Sequence, residues 1–268
     1  MENDQSSEVM KRYGSYAMVT GASEGIGRAF AEKLASVGLN VVLVARREDQ
    51  LNALASELEG RYGVLCPVIQ ADLSSEEQVA HVLQLTDTLD IGLVVCNAGF
   101  GTAGNFLESD VETELNMLAV NCIAVTRLVH HFGNKFRGKG AGGVILLSSI
   151  VATQGVPRSA HYAATKAYVH TLGEGLQQEW LGSGVDLLIV APGPVATGFA
   201  KRSGMQLGQT ASAEVVSTQA LNALGRQKLI HPGLLAKVLA FALSTAPRSL
   251  RVKIMGSIMG SMTQHLPR

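Results

Sequence analysis

The sequence has few charged and few aromatic residues, and its charges balance. Its 268 residues include 22 lysines and arginines against 22 aspartates and glutamates, with 16% charged and 5% aromatic residues. A chain without a basic excess has no electrostatic reason to bind nucleic acid. Because 47% of the residues are hydrophobic, disorder is excluded, and the length suits one large domain.

Cysteines, targeting signals and long apolar runs are also scarce. Cys66, Cys96 and Cys122 are odd in number and lack the C-x-x-C spacing, which argues against a disulfide framework or a cysteine-based zinc site and favours a reducing cytoplasm. The polar first 16 residues contain no apolar segment typical of a secretory signal. No run reaches the roughly 18 apolar residues of a spanning helix. The histidines lack metal-ligand spacing, so no metal is predicted.

Short apolar runs alternate with helical patterns along the chain. The predicted strands cover residues 16–19, 41–45, 64–70, 91–96, 143–148 and 185–190, and a helix is predicted after each of the first five. Within residues 48–59, Leu51, Leu54, Ala55 and Leu58 fall on one helical face. Continuous apolar strands separated by helices predict an α/β fold with a doubly wound parallel sheet in three layers.

One domain is predicted over residues 15–268, after a flexible tail over residues 1–14. A long irregular stretch follows the sixth strand, where open α/β sheets bind ligands, so we expect a substrate lid at about residues 193–210. The amphipathic segment over residues 234–268 carries Met255, Met259 and Met262 at helical spacing. This pattern indicates packing onto the domain or a sister subunit, with an interfacial membrane helix as the disfavoured alternative.

A glycine-rich turn at residues 20–27 follows the first strand. Glycines at positions 21, 25 and 27 permit a tight turn and close approach of the backbone to a pyrophosphate, and the N-terminus of the next helix favours phosphate. Glycines also serve turn geometry alone, which is the alternative interpretation. The position after the first strand of a βαβ unit favours dinucleotide binding.

The spacing G-x-x-x-G-x-G and three later motifs resemble those of the short-chain dehydrogenase/reductase family. The later motifs are Cys96-Asn97-Ala98-Gly99, Ser149 with Tyr162-Ala163-Ala164-Thr165-Lys166, and Pro192-Gly193-Pro194-Val195-Ala196-Thr197. The resemblance covers about residues 15–200, and Cys96 departs from the N-N-A-G pattern of the family. It implies a Rossmann-type fold, hydride transfer with a nicotinamide cofactor, and a homo-oligomer.

Four residues are predicted to carry the catalysis. Tyr162 and Lys166 lie four positions apart and share a helix face, so the ammonium is expected to lower the pKa of the phenol and make it a usable general acid/base. Ser149 can donate a hydrogen bond to the same carbonyl oxygen. The resemblance implies that Lys166 also binds the nicotinamide ribose and that Asn121 holds a water linking Lys166 to solvent.

The end of the second strand predicts the choice of cofactor. Selectivity for NAD requires a carboxylate there, but this chain has Ala45 followed by Arg46 and Arg47. The two guanidiniums can bind the 2′-phosphate of NADP(H), unless they are merely a solvated pair. The resemblance adds Asp72 as an adenine contact. The predicted cofactor-binding residues are Gly21, Ser23, Glu24, Gly25, Ile26, Gly27, Arg46, Arg47, Asp72, Leu73, Asn97, Ala98, Gly99, Tyr162, Lys166, Pro192, Gly193, Val195 and Thr197.

The sequence therefore predicts an NADP(H)-dependent enzyme that interconverts a ketone and a secondary alcohol, with apolar lid residues indicating a lipophilic substrate. A 3-oxoacyl thioester reductase is an alternative of the same class. A nucleotide-binding regulatory protein with the same fold is an alternative of another class. We expect a homodimer or homotetramer formed through the helices after the fourth and fifth strands.

Overall fold

The structure is a computed structural model that describes residues 12–206 and 210–266. Residues 1–11 of the predicted tail and residues 207–209 of the predicted lid lie outside the described residues. Tyr13 is buried, and its hydroxyl donates to Asp186 at 2.8 Å, while Arg12 donates to the same carboxylate at 2.7 Å. The boundary predicted after residue 14 is therefore too late, because these contacts attach Arg12 and Tyr13 to the folded domain.

Within the described residues, a parallel sheet forms the centre of the molecule. Its strands are β1 (Tyr16–Thr20), β2 (Asn40–Ala45), β3 (Val68–Gln70), β4 (Ile91–Cys96), β5 (Gly142–Leu147), β6 (Val185–Val190) and β7 (Leu229–Ile230). Their order is β3-β2-β1-β4-β5-β6-β7, and all neighbours run parallel. The strand order reverses between β1 and β4, so the carboxyl ends of these strands form the crevice where such sheets bind ligands.

Helices cover both faces of the sheet. They are α1 (Gly25–Ser36), α2 (Glu48–Tyr62), α3 (Glu76–Thr86), α4 (Val111–Leu118), α5 (Val125–Lys139), α6 (Ala160–Glu179), α7 (Gly198–Arg202), α8 (Ala213–Ala223), α9 (Leu234–Thr245) and α10 (Arg248–Met262). A π-helical turn, Ala119–Ala124, joins α4 to α5. None of the helices in residues 12–206 and 210–266 combines the length and apolar character needed to cross a membrane. The three-layer fold confirms the predicted fold class.

Each face of the sheet has its own apolar core. Phe30 of α1 and Leu51 of α2 pack on one face, and Phe132 and Phe136 of α5 pack on the other. The face of α2 that the sequence predicted to be apolar is buried, since all four of its residues are buried, namely Leu51, Leu54, Ala55 and Leu58. The burial of both faces explains why the strands read as continuous apolar runs.

The third strand begins later than the sequence predicts. It was expected from residue 64 but starts at Val68, because Pro67 has no N–H to donate to a strand ladder. The carbonyls of Leu65 and Pro67 still accept hydrogen bonds at 2.9 Å from Val41 and Leu43. The chain therefore runs beside β2 before it forms regular strand.

The C-terminal helices pack onto their own domain. Met255 and Met259 of α10 are buried against Ile150 and Val151, which follow β5. Of the alternatives for this segment, the methionine face thus packs on the domain and is not available to a membrane.

Candidate active site

A cavity of about 660 Å³ opens at the carboxyl ends of the central strands. Nearly all of the predicted cofactor-binding residues line it, namely Gly21, Ser23, Glu24, Gly25, Ile26, Arg46, Arg47, Asp72, Leu73, Asn97, Ala98, Gly99, Tyr162, Lys166, Pro192, Gly193, Val195 and Thr197. Ser149 lines the same cavity. Two predicted residues, Gly27 and Asn121, lie behind the cavity wall and support it.

The glycine-rich turn needs its glycines for two separate reasons. Gly21 has a φ of 67°, a left-handed conformation that favours glycine. At Gly27, an added Cβ would lie 2.1 Å from the carbonyl oxygen of Gly21 and 2.6 Å from Nδ2 of Asn97. Asn97 Nδ2 in turn donates to the carbonyl of Thr20 at 2.9 Å. Gly27 thus lets α1 approach the turn. Its predicted contact with the cofactor stays a prediction.

Replacing Gly27 with alanine is expected to destabilise the fold by about 1–3 kcal/mol, because the new methyl group displaces backbone of the turn. Gly60, an exposed glycine of α2, has no atom within 4 Å of an added Cβ and provides the control. Gly60→Ala should stabilise α2 by up to about 1 kcal/mol. Urea unfolding of both variants measures the difference, and equal effects would refute the packing role of Gly27.

The two arginines after β2 have different surroundings. Arg47 Nη2 donates to Ser23 Oγ at 3.0 Å and lies 2.9 Å from Glu24 Oε2. Glu24 also pairs with Arg202 of α7. Arg46 lies 3.9 Å from Asp72 Oδ2, and 64% of its side chain is exposed. Arg46 is therefore the more available of the two for an anionic ligand, while Arg47 holds the glycine-rich turn.

Asp72 combines a cavity position with a local structural role. Its Oδ1 accepts hydrogen bonds from Ser74 N at 3.0 Å and from Ser74 Oγ at 2.8 Å. The carboxylate thus shapes the loop before α3. The adenine contact implied by the resemblance stays a prediction.

Ser149, Tyr162 and Lys166 converge at the inner end of the cavity. Ser149 lies two residues after the end of β5, while Tyr162 and Lys166 lie on the first two turns of α6. Ser149 and Tyr162 hydrogen-bond through their side chains. Lys166 Nζ donates to the carbonyl of Leu147 at 2.8 Å and lies 5.9 Å from the centre of the Tyr162 ring. The predicted grouping therefore forms, with the ammonium held by the end of β5.

The direction predicted for the pKa of Tyr162 is wrong in this arrangement. Burial raises the pKa of the Tyr162 phenol above its ordinary value, and the hydrogen bond with Ser149 lowers it by less. Burial also lowers the pKa of Lys166 to about 8. Since Lys166 is bound to the Leu147 carbonyl rather than to the phenol, it does not offset the burial of Tyr162. The phenol is therefore poised to hold and donate a proton.

The stability of the protein should report the low pKa of Lys166. In the folded protein this lysine loses its proton near pH 8, whereas an unfolded lysine keeps it up to about pH 10.4. The unfolded state thus binds more protons between these values, and the unfolding free energy should rise with pH through this window.

Urea unfolding of wild type and Lys166→Met at about pH 7 and about pH 10 tests this expectation. The difference between the two proteins should shift in favour of wild type at the higher pH. Lys228→Met, which changes an exposed lysine, is the control and should show no such shift. A parallel pH dependence of wild type and Lys166→Met would contradict the assignment.

Asn121 is buried in the π-helical turn and braces the site from behind. Its Nδ2 donates to the Phe100 carbonyl and to Thr165 Oγ1, both at 2.9 Å, and its Oδ1 accepts from Phe100 N at 3.1 Å. A Cβ on Gly99 would lie 2.9 Å from Asn121 Oδ1 and 3.4 Å from Lys166 Nζ. Asn121 thus ties the loop after β4 to the residue before Lys166. The water that the resemblance implies for Asn121 stays a prediction.

The cavity has an apolar wall that includes Phe199 and Met205 of the predicted lid. The wall also contains residues that the sequence did not assign to a site, namely Phe100, Ile150, Val151, Leu235, Leu239, Met255, Ile258, Met259 and Met262. Phe199 of α7 contacts Tyr162, with ring centres 5.3 Å apart. The helical spacing of the methionines was visible in the sequence, but their position over the cavity depends on how α9 and α10 fold back.

The turn before α6 is held in an unusual conformation. Arg158 has a φ of 64°, which is uncommon for a residue with a side chain. Its Nε donates to Thr263 Oγ1 at 2.6 Å and its Nη2 donates to the Thr263 carbonyl at 3.2 Å. Arg158 thereby ties the turn before α6 to the end of α10. No local sequence signal predicts this contact.

Comparison with known proteins agrees with this geometry. Residues 15–207 match the family model described as short chain dehydrogenase. The chain belongs to this family of oxidoreductases. The predicted enzyme class is thus confirmed. The 7β-hydroxysteroid dehydrogenase of Collinsella aerofaciens is 34% identical over 187 residues, which are 70% of this chain and 71% of that relative.

Solved structures extend the likeness to nearly the whole chain of this short-chain dehydrogenase. A structure from a study of 7β-hydroxysteroid dehydrogenase stereoselectivity has a TM-score of 0.86 and 28% identity, covering 92% of this chain and 98% of that chain. A short-chain dehydrogenase from Sphingobium yanoikuyae in complex with NADPH has a TM-score of 0.80 and 31% identity, covering 88% of this chain and 94% of that chain.

Proposed function

We propose that the protein is an NADP(H)-dependent dehydrogenase or reductase that interconverts a bulky lipophilic ketone and its secondary alcohol. The observation that carries this proposal is the meeting of Ser149, Tyr162 and Lys166 with an apolar wall in one cavity. The hydroxysteroid dehydrogenases among the relatives support a substrate of steroid size.

The residues of the cavity fit NADP(H). The glycine-rich turn and the N-terminus of α1 offer backbone N–H groups to the pyrophosphate. Arg46 would bind the 2′-phosphate, because Ala45 leaves no carboxylate at the end of β2. Lys166 would bind the nicotinamide ribose. The Sphingobium relative, solved with NADPH, supports this choice.

The chemistry follows from the proton held by Tyr162. NADPH, when bound, supplies the hydride. Tyr162 donates its proton to the carbonyl oxygen of the substrate, and the Ser149 hydroxyl donates a hydrogen bond to the same oxygen. Since burial raises the pKa of Tyr162, the phenol stays protonated at neutral pH and is ready to act as the acid in reduction.

The apolar wall favours an uncharged ketone over a coenzyme A thioester. The charged residues that line the described cavity are Glu24, Arg46, Arg47, Asp72, Lys166 and Arg202. Lys166 lies at the catalytic end, and the others lie around the glycine-rich turn and β2, where Arg202 pairs with Glu24. Among the described residues that line the cavity, the apolar substrate end therefore has no cation other than Lys166, which supports the steroid-sized ketone over the thioester.

Turnover of a substrate panel tests the proposal. NADPH oxidation is followed with keto-steroids, acetoacetyl coenzyme A and small ketones, alongside direct NADPH binding. Preferred turnover of keto-steroids is the expected result. Preference for the thioester would favour the 3-oxoacyl reductase alternative. Tight NADPH binding without turnover of any member would favour the regulatory protein, against which the intact catalytic set argues.

We also propose a cytoplasmic homodimer formed through α4, α5 and α6, the helices that follow the fourth and fifth strands. Large apolar side chains are exposed on α4 and the following turn, with Val111 60%, Leu115 52% and Ile123 50% exposed. Such a patch is typical of a subunit interface. A monomer mass by light scattering at micromolar concentration would overturn the dimer.

The proposed cytoplasmic location is supported by the buried free cysteines, because thiols stay unpaired in a reducing compartment.

A further inference from the structure

Helix α9 presents an apolar face to solvent. Leu234 is 78% exposed, Val238 is 56% exposed and Phe241 is 74% exposed. These positions follow the i, i+4, i+7 spacing and therefore share one side of the helix. Isolated exposed apolar residues are ordinary, but three on one face form a patch that marks a protein or membrane contact.

The remaining sides of α9 place this patch beside the mouth of the cavity. Ala236 and Leu243 are buried in the domain. Leu235 and Leu239 line the cavity, and Lys237 is exposed on the other edge of the helix. With 3.6 residues per turn, the sides of α9 follow one another around the helix axis. Lys237 comes first, then the apolar patch, then the two leucines that line the cavity, and then the buried side. The apolar patch and the apolar cavity wall are therefore continuous.

The charge of this region has one sign. No aspartate or glutamate follows Glu214, whereas seven lysines and arginines lie in residues 215–268. Because the whole chain is balanced at 22 of each sign, residues 1–214 carry seven more acids than bases. The chain is thus divided into an acidic N-terminal part and a cationic C-terminal part that includes α9 and α10.

The cations of α10 lie close to α9. Arg251 Nε donates to the Ala246 carbonyl at 2.7 Å, and its Nη2 donates to the Ser244 carbonyl at 3.0 Å, so the first turn of α10 is tied to the end of α9. Arg248 is exposed on that first turn. An anionic partner would therefore meet Lys237 along one edge of the apolar patch and Arg248 just beyond the end of α9.

We propose that Leu234, Val238 and Phe241, flanked by Lys237 and Arg248, form a docking surface for an anionic lipid bilayer. The helix lies in the plane of the interface with its apolar side chains among the lipids and its cations at the head groups. A second copy fits this surface less well, because a two-fold contact brings the same cations together. A lipophilic substrate dissolved in the bilayer then reaches the cavity along α9 without crossing water.

For residues 234–268, an interfacial membrane helix was the disfavoured alternative, and the helical spacing of the methionines was the pattern behind it. In the structure the methionine face is buried, and the exposed apolar residues lie on α9 instead. The proposal concerns binding and does not depend on turnover of any substrate.

Cosedimentation of the purified full chain with lipid vesicles tests the docking surface. One set of vesicles contains phosphatidylcholine alone, and the other contains about 30% phosphatidylglycerol as the anionic lipid. We expect binding to the anionic vesicles that weakens with salt. The triple variant, which combines Leu234→Ser, Val238→Ser and Phe241→Ser, should bind the anionic vesicles at least about tenfold more weakly than wild type. Lys237→Glu should weaken binding to the anionic vesicles.

Leu107→Ser is the matched control, because Leu107 is 88% exposed and lies far from α9 along the chain, in the short 3-10 helix Phe106–Glu108. It should bind vesicles like wild type. Thermal unfolding establishes that each variant remains folded. The proposal is overturned if wild type binds neither vesicle, or if the triple variant binds as well as wild type. It is also overturned if wild type does not bind vesicles and the triple variant has a smaller mass than wild type in light scattering. That result would identify a second copy as the partner.

Discussion

Tyr162→Phe is expected to lower turnover by about 10²–10⁴-fold while leaving NADPH binding intact. The change removes the proton donor but keeps the ring that packs against Phe199. The ring also keeps its place on α6, so the cavity should hold its shape. Initial rates of NADPH oxidation with an accepted ketone measure the first effect, and fluorescence titration of NADPH measures the second.

The same helix supplies a control for this substitution. Tyr168 is 43% exposed, and its hydroxyl bonds to Thr126 at 2.6 Å outside the cavity. Tyr168→Phe removes an equivalent hydroxyl and should turn over at nearly the wild-type rate. A Tyr162→Phe rate within a few-fold of wild type would eliminate the phenol as the proton donor and leave the role to another group.

Arg46→Ala is expected to weaken NADPH binding by about ten- to a hundred-fold and to leave NADH binding nearly unchanged. The lost contact is a charge-assisted hydrogen bond to the 2′-phosphate, which NADH lacks. Arg47→Ala should have a smaller effect on selectivity, since Arg47 is engaged with Ser23 and Glu24. The double variant should lose more than either single variant.

Ala45→Asp should go further than the arginine variants. The new carboxylate repels the 2′-phosphate and accepts a hydrogen bond from the ribose hydroxyl of NADH. Dissociation constants for both cofactors at fixed salt measure the shift. Arg61→Ala, at an exposed arginine of α2 outside the cavity, is the control. If wild type binds NADH as tightly as NADPH, or if Arg46→Ala weakens both cofactors equally, Arg46 is a solvated side chain and does not bind the 2′-phosphate.

The sheet and the catalytic grouping were predictable because both depend on local order in the chain. Strands buried on two faces appear as continuous apolar runs, and successive carboxyl ends then place the residues after β1, β4 and β5 side by side. The i, i+4 spacing of Tyr162 and Lys166 places them together on any helix. Few long-range contacts are needed for either inference.

The features that escaped prediction depend on contacts between distant parts of the chain. The pKa of Tyr162 is set by its burial and by where Lys166 finds an acceptor, which is the carbonyl of Leu147. The apolar wall requires α9 and α10 to fold back over the cavity. The hydrogen bond from Arg158 to Thr263 joins residues that lie 105 positions apart in the sequence. The strand β7 has two residues, too few for a periodic pattern.

The apolar wall also decides how the protein responds to oxidants. Four of the eight methionines of the chain, Met205, Met255, Met259 and Met262, line the cavity. The thiols are protected, because burial raises the pKa of Cys66 and Cys122 to about 11 and that of Cys96 to about 12, leaving little thiolate. Conversion of the thioethers to sulfoxides makes this wall polar, and methionine sulfoxide reductases reverse the change. If the proposed function is right, peroxide would thus act on the recognition of the apolar ketone and not on Arg46, the proposed ligand of the 2′-phosphate.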